Sequence, residues 1–368
     1  MKEELLYHLA LTQVPNIGDI QIAVLLNHFG DPSAVFRANR KSLESIVGIG
    51  TVRADAIKKF NGDKRVEQEL SFVVKNKIDV LVKHHEGYPS RLENCIDAPH
   101  LLFYKGSRSL NQQRTVAVVG TRAPTDYGRE RVAALIAALV TTDVLVVSGL
   151  AYGIDTLVHR DCVKHGVSTV GVLGHGLDQI YPSSNRVLAG EMIHEGGLLT
   201  EFMQGTKPDR QNFPKRNRIV AGMVDAVIVI ESGEKGGSLI TAEIANSYNK
   251  DVFAYPGRTT DMGSMGCNHL IRTHRAELIT SGSEFIEFMG WNPALKKKKA
   301  IQAELFLSLE GKEKQLYDLI LEREPIGIDD LIVQTAQKSS EVSAILFSLE
   351  MRGLIIPRPG KLYAAVYR

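Results

Sequence analysis

Along residues 2–72 the apolar side chains return every third or fourth position, and Gly and Pro fall only between short segments. That period predicts short amphipathic helices packed on one another, a small all-α module. Two stretches share a plan: VPNIGDIQIAVLLNHFG (Val14 to Gly30) and VGIGTVRADAIKKFNG (Val47 to Gly62) each set an apolar-x-Gly turn before an amphipathic helix. This is the outline of a helix-hairpin-helix pair. Such glycines either expose backbone N–H groups at a helix start, where a phosphate is favoured, or only let two helices meet closely.

Between Ile78 and Gly106 the period fades, and VLVKHHEGYPSRLENCIDAPHLLFYKG reads as a connector packed on the next domain. From Thr115 to about Trp291 short, β-branched, almost wholly apolar runs alternate with helical segments. The runs are TVAVVG (115–120), VLVVSG (144–149), STVGVLG (168–174), LLTEF (198–202), AVIVIE (226–231), DVFAYPG (251–257) and AELIT (276–280). Strands buried on both faces look like this, and their alternation with helices predicts a parallel sheet with crossover helices. After Pro293 the run Lys296 to Lys299 marks a solvated linker. Beyond it, helices through EKQLYDLILER, IDDLIVQT and SSEVSAILFSLEMRG precede LIIPRPGKLYAAVYR, where a Pro-Gly turn separates two strands. That is the plan of a winged helix. Its third helix offers Arg352 and the preceding Lys338 against Glu341 and Glu350, which favours protein contact or regulation over major-groove reading. The expected boundaries are a helical domain at 1–75, connector and sheet domain at 76–292, linker at 293–311 and winged helix at 312–368.

Composition narrows the class. Apolar residues make up 44% and charged residues 23% of the 368, an ordinary globular mix that excludes wholesale disorder. With 44 basic against 42 acidic side chains the net charge is +2, so any sign of a polyanion partner must be local. Cys95, Cys162 and Cys267 lack the C-x-x-C spacing of a zinc or redox site and fit a reduced cytoplasm. The start MKEELLYHLALTQV does not read as a signal peptide, and the apolar run Val132 to Val140 is half the length of a membrane span. The expectation is a soluble cytoplasmic protein without membrane insertion. His84 and His85 are adjacent, so on a strand they point to opposite faces, a poor geometry for one metal, and they read as solvated surface.

In an open parallel sheet, ligands bind outside the C-terminal strand ends. The first such turn, VVGTRAPTDYG, lacks the G-x-G-x-x-G and ribose acid of a dinucleotide site. Gly120, Thr121 and Arg122 instead offer a tight turn, a hydroxyl and a guanidinium suited to a phosphate; the alternative for Arg122 is a structural pairing with Asp155 or Glu201. The segment KPDRQNFPKRNRIVAG puts five basic residues against Asp209 between Lys207 and Arg218. Arg210, Lys215, Arg216 and Arg218 there surround Phe213, and cations around a ring on which bases can stack suit single-stranded nucleic acid. The alternative for Phe213 is a buried anchor beside Pro214, which the flanking charges make costly. In VIVIESGEKGGSLITAE, Lys235, Gly236, Gly237 and the N-cap candidate Ser238 converge a helix start and an ammonium on one anion site. The Walker order is absent, so ATP hydrolysis is not expected. No catalytic constellation, metal site or cofactor is expected: the histidines fall in different crossovers, His175 lines the groove or holds its turn, and Asp155 reads as a helix-start carboxylate rather than a base.

Taken together, VGTRAPTDYG, SGLAYGIDTLVH, VLGHGLDQIYP, LLTEF, FPKRNRIVAG, EKGGSLITAE, YPG and CNHLIRTHRAELITS resemble the DprA/Smf family of DNA-processing proteins over Thr115 to Ser281. The resemblance implies an α/β fold, an extended Rossmann-like parallel sheet domain flanked by an N-terminal all-α domain of SAM or helix-hairpin-helix type and a C-terminal winged helix. It implies a sequence-independent single-stranded DNA binder, not an enzyme, that dimerises through the Rossmann-like domain, protects incoming DNA in natural transformation and loads the recombinase RecA. Carried onto this chain, the implied contacts are Gly120, Thr121 and Arg122; Arg210, Phe213, Lys215, Arg216, Asn217 and Arg218; and Lys235, Gly236, Gly237 and Ser238. Thr121 stands where the family has Ser, Gly197 where it has Ala, and Thr273 to Arg275 where an Asp-Gly turn is common. The runner-up is a LOG-like nucleotide phosphoribohydrolase with Glu243 as acid/base, although EKGGSLITAE lacks that family's leading Pro and third Gly.

Overall fold

The computed structural model describes residues 2–291, 309, 311–323, 325–352, 354–358 and 362–365. Residues up to Trp291 form one compact unit and those from Asn292 a second.

The helical periodicity of the first 76 residues becomes six helices, α1 (Lys2–Gln13), α2 (Asp19–Phe29), α3 (Pro32–Arg37), α4 (Arg40–Glu44), α5 (Gly50–Lys58) and α6 (Asp63–Asn76). Leu11, Ile22, Leu25, Val35, Leu43 and Ile57 form the core shared by α1 to α5, while Val66 and Val73 of α6 pack with Leu9 of α1 and with Leu101 and Phe103 of the sheet. Short polar side chains start them: Asp31 accepts from Ser33 N and Asn39 from Ser42 N. Of the two glycine turns, the first has Gly18 N donating to Gln21 Oε1 at 3.1 Å, while the Asp19 carboxylate beside it accepts from His100 N and pairs with Arg218. The second holds Gly48 and Gly50 at φ 89° and 61°, a backbone open to glycine, and Arg53 bonds both Gly48 O and Asn16 O across the hairpin pair.

The segment read as a connector is part of the sheet. It supplies β1 (Asp79–Val82), α7 (Ser90–Glu93) and β2 (Leu101–Gly106), with β1 antiparallel to β2 and β2 antiparallel to β6. The remaining elements alternate as the sequence predicts: β3 (Thr115–Val119), α8 (Asp126–Leu139), β4 (Leu145–Ser148), α9 (Ile154–His165), β5 (Thr169–Val172), α10 (Arg186–Glu195), β6 (Gly197–Thr200), α11 (Asn212–Gly222), β7 (Ala226–Val229), α12 (Gly237–Ser247), β8 (Asp251–Ala254), α13 (Met265–Arg272), β9 (Glu277–Leu278) and α14 (Gly282–Phe288). The order is β1-β2-β6-β5-β4-β3-β7-β8-β9. From β6 to β9 all pairs are parallel. Inner strands such as β3, β4 and β7 are buried at every position, as double helical cover requires. The chain leaves β3 toward β4 and later returns to its other side as β7, so the order reverses at β3 and opens a crevice at the carboxyl ends there.

Buried polar groups brace this unit. His159, fully buried on α9, bonds Thr169 Oγ1 through Nδ1 at 2.7 Å. Burial pushes its pKa down to about 3, with a smaller contribution from Arg216. The native imidazole stays neutral between about pH 3 and 6.5 while the unfolded one takes up a proton, so stability falls as pH falls through that window. His159→Gln is therefore expected to flatten the pH dependence of the unfolding free energy, read from urea denaturation between pH 6.5 and 4.5, by up to about 1.4 kcal/mol per pH unit. An unchanged slope would show that this imidazole is not the neutral group assigned.

In the second unit α15 (Gly311–Glu322), β10 (Ile326–Gly327), α16 (Ile328–Thr335), α17 (Ser339–Met351), β11 (Ile355–Arg358) and β12 (Leu362–Ala365) build a winged helix with sheet order β10-β12-β11. Leu316, Ile320, Leu331, Leu346 and Leu349 fill its core. Arg352 is held by Glu313 at 2.8 Å and Glu341 by Lys312 at 3.0 Å, while Phe347 and Met351, one turn apart, are exposed. The lysine run 296–299 lies outside the described residues. Among the described residues no helix is long and apolar enough to cross a membrane, and the three cysteines are free and buried.

Candidate nucleic-acid interface

The crevice at β3 is a cleft of about 570 Å³. Its walls come from the turns after β3 and β4, the first turns of α11 and the start of α12.

The turn after β3 is pinned at both ends. Thr121 N donates to Glu231 O at 2.8 Å, and Thr121 O accepts from Ile154 N at 3.0 Å. Gly153, at φ 82°, passes so close that a Cβ would lie 2.3 Å from Thr121 O. Backbone held this way presents Arg122 outward. Its guanidinium makes no ion pair among the described residues and lies 5.5 Å from the centre of the Phe213 ring, within cation–π range. Neither of the carboxylates weighed as its structural partner takes that role: Asp155 sits beside Arg216, and Glu201 pairs with Arg218.

The basic segment is a helix from Asn212, with Pro214 in the first turn where its missing N–H costs nothing. Helical spacing then sorts its cations. Phe213, Arg216, Asn217 and Val220 line the cleft together with the exposed Arg210. Lys215 and Arg218 instead line a separate, larger groove beside the helical module. The expectation that charge keeps this segment out of the interior is corrected at two positions. Arg216 is 5% exposed, donates to Val172 O at 2.6 Å and faces Asp155, whose carboxyl burial pushes up in pKa against the pull of Arg216. Gly149 makes room for that guanidinium, since a Cβ there would lie 1.9 Å from Arg216 Nη1. Arg218 is enclosed by Glu201, Asp19 and Asp97 O. Asp155 also accepts from Gly149 N and Ala151 N, closing the start of α9 as a fold-holding carboxylate.

Of the third loop, Gly236, Gly237 and Ser238 reach the cleft, whereas Lys235 is exposed outside its lining. Ser238 Oγ donates to Ser232 Oγ at 2.9 Å and makes no cap bond, so the first N–H groups of α12 are presented to the cleft. Glu243 lies on the outer face of α12, exposed and 3.3 Å from Arg275, away from the cleft.

Two aromatic residues were not singled out from sequence. Tyr181 lies 6.1 Å from Phe213, ring centre to ring centre, and Tyr152 lies 6.3 Å from Tyr181. They are 44% and 48% exposed, so the three rings make an accessible row beside Arg122. His175 holds the turn that places this row: buried, it donates from Nδ1 to Gly176 O and accepts from Tyr181 N at Nε2. The available signal was positional, an aromatic in each of the turns after β4 and β5.

The family described as DNA recombination-mediator protein A matches residues 79–290, and the DprA winged helix domain matches residues 304–361. The chain belongs to the DprA/Smf family. Protein Smf of Synechocystis is 33% identical, covering 97% of this chain and 98% of that protein. DNA processing protein DprA of Streptococcus pneumoniae is 43% identical over 54% of this chain and 70% of its own length. The crystal structure of the pneumococcal DprA covers 76% of this chain and 95% of its own, at 34% identity and a TM-score of 0.66. DNA processing protein A of Helicobacter pylori, whose structure concerns its single-stranded DNA binding mode, matches 58% of this chain and 95% of its own at 29% identity and a TM-score of 0.53. Membership in DprA/Smf accounts for both the extended sheet and the winged helix.

Proposed function

We propose that this DprA/Smf protein binds single-stranded DNA without regard to sequence, protects incoming strands in the cytoplasm during natural transformation and delivers them to RecA, acting as a homodimer through the sheet domain. The observation that carries the binding is Arg122 over Phe213 at a cleft mouth with α12 opening into it. An unpaired cation meets a phosphate, the helix start offers N–H groups to the next, and the row Phe213, Tyr181 and Tyr152 offers faces to splayed bases. A duplex hides those faces. The single-stranded DNA binding of the Helicobacter relative and the recombination-mediator description of the family support the same reading. Arg122, Arg210 and Phe213 are the proposed direct contacts, with Gly120, Thr121, Asn217, Gly236, Gly237 and Ser238 shaping the cleft and Arg216 as its floor, while Lys235, exposed beside the third loop, and Lys215, on the neighbouring groove, add positive charge outside the cleft. On the winged helix, exposed Phe347 and Met351 and the neutralised Arg352 suit a protein partner better than a DNA groove.

The test is competition between single strands and duplexes at several salt concentrations. Unlabelled single strands of any sequence are expected to displace a labelled strand at concentrations at least tenfold below those needed with duplex of equal length. Equal competition by duplex would refute the stacking contribution and with it this reading.

A further inference from the structure

At the junction of the helical module and the sheet, away from the cleft, Glu4, His8 and His85 place one ligand atom each within 4.8 Å of one another. Glu4 and His8 are four residues apart on α1 and so share one face. His85 arrives from the turn after β1. His84 there has φ 70°, which breaks the strand alternation: His84 turns to Glu93 at 2.5 Å, and the following ring turns back to lie 5.7 Å from His8, centre to centre. A strand would have separated these two histidines, but a turn sends one of them to α1.

His8 is the fixed member. It is 4% exposed, its Nδ1 is joined to His100 Nε2 at 2.9 Å, and its Nε2 is buried without a partner. A buried imidazole nitrogen left unbonded costs stability unless something binds it. The His8–His100 bond fixes the ring while the other nitrogen stays open, the arrangement that metal-ligating histidines use. Glu4 and His85 are exposed, so their side chains are free to close the remaining gap toward the about 3.3 Å ligand spacing of a tetrahedral ion with bonds near 2.0–2.1 Å.

We propose that Glu4, His8 and His85 bind a divalent transition-metal ion of zinc type, with water as fourth ligand. Two imidazoles and one carboxylate select such an ion over magnesium or calcium, which prefer oxygen. Bound there, the ion joins α1 to the turn after β1 and stabilises the packing of the helical module on the sheet by an amount that grows with the logarithm of free ion concentration above its dissociation constant.

The full chain, stripped with chelator and dialysed, is titrated calorimetrically with ZnCl2, and separately with CoCl2 read by its visible absorption. One equivalent is expected to bind, with an intense tetrahedral cobalt band and a thermal midpoint that rises with zinc but not with MgCl2. Glu4→Gln and His85→Ala, both at exposed positions, are each expected to weaken zinc at least tenfold while leaving the zinc-free midpoint and single-stranded DNA binding unchanged. Absence of binding in the unaltered chain, or undiminished binding in both variants, would overturn the site.

Discussion

Arg122→Ala is expected to weaken binding of single strands of every sequence and to lower the slope of log K against log salt by about 0.7 to 1, the release of one phosphate's counterions. Phe213→Ala is expected to remove about 1–3 kcal/mol per stacked base, roughly five- to 150-fold in affinity, with little change in that slope. The two losses differ in kind because one group carries charge and the other area. They are also coupled. The guanidinium lies 5.5 Å from the ring centre, so losing the ring also releases Arg122 from the surface that orients it. The double variant is therefore expected to lose less than the sum of the single losses. Gel shifts over a salt series measure all three, with circular dichroism confirming that each variant is folded. Phe213 packs against Gly174, where a Cβ would come within 3.1 Å of the ring, so removing the ring vacates a site at the cleft margin and not in the sheet core. Two folded single variants with wild-type affinity would remove this cleft from consideration as the binding site.

How far the sequence carried the fold differs between elements for physical reasons. Apart from AELIT, whose β9 is a two-residue edge strand exposed at both positions, the runs from Thr115 onward are legible because strands covered by helices on both faces are continuous apolar β-branched stretches. β1 and β2 are not. β1 is a four-residue edge strand with only Val82 fully buried, and HHEGYP breaks any alternation between it and β2. The three cleft turns are legible because they follow strand ends, but the role of each cation is not. Charge counted along KPDRQNFPKRNR treats the segment as one surface, and only its helical period reveals that Arg216 turns inward to Asp155 and Arg218 to Glu201. Likewise, the relation of His85 to Glu4 and His8 depends on a left-handed turn at His84 that composition does not announce.

Arg218 provides the sharpest test of that sorting. Arg218→Ala is expected to cost about 3–5 kcal/mol of stability, the range for removing one partner of a buried ion pair, and to leave the salt slope of DNA binding unchanged. The guanidinium bridges Asp19 on α2 and Glu201 after β6, and it also donates to Asp97 O. Its loss therefore strands two carboxylates and a carbonyl where the helical module meets the sheet. Burial already pushes the Glu201 carboxyl up to about 7 in the presence of that cation, with Arg218 opposing the rise, and Glu201 Oε1 is buried without a partner. Without Arg218 the carboxyl rises further and takes up a proton near neutral pH. Glu201→Gln in the Arg218→Ala background is then expected to recover part of the loss, because a neutral amide spares the cost of protonating the buried carboxyl at pH 7, whereas Glu201→Gln alone destabilises. Urea denaturation of the four proteins at pH 7 gives the coupling directly. A folded, fully stable Arg218→Ala chain with a reduced salt slope would return this residue to the DNA-contacting set.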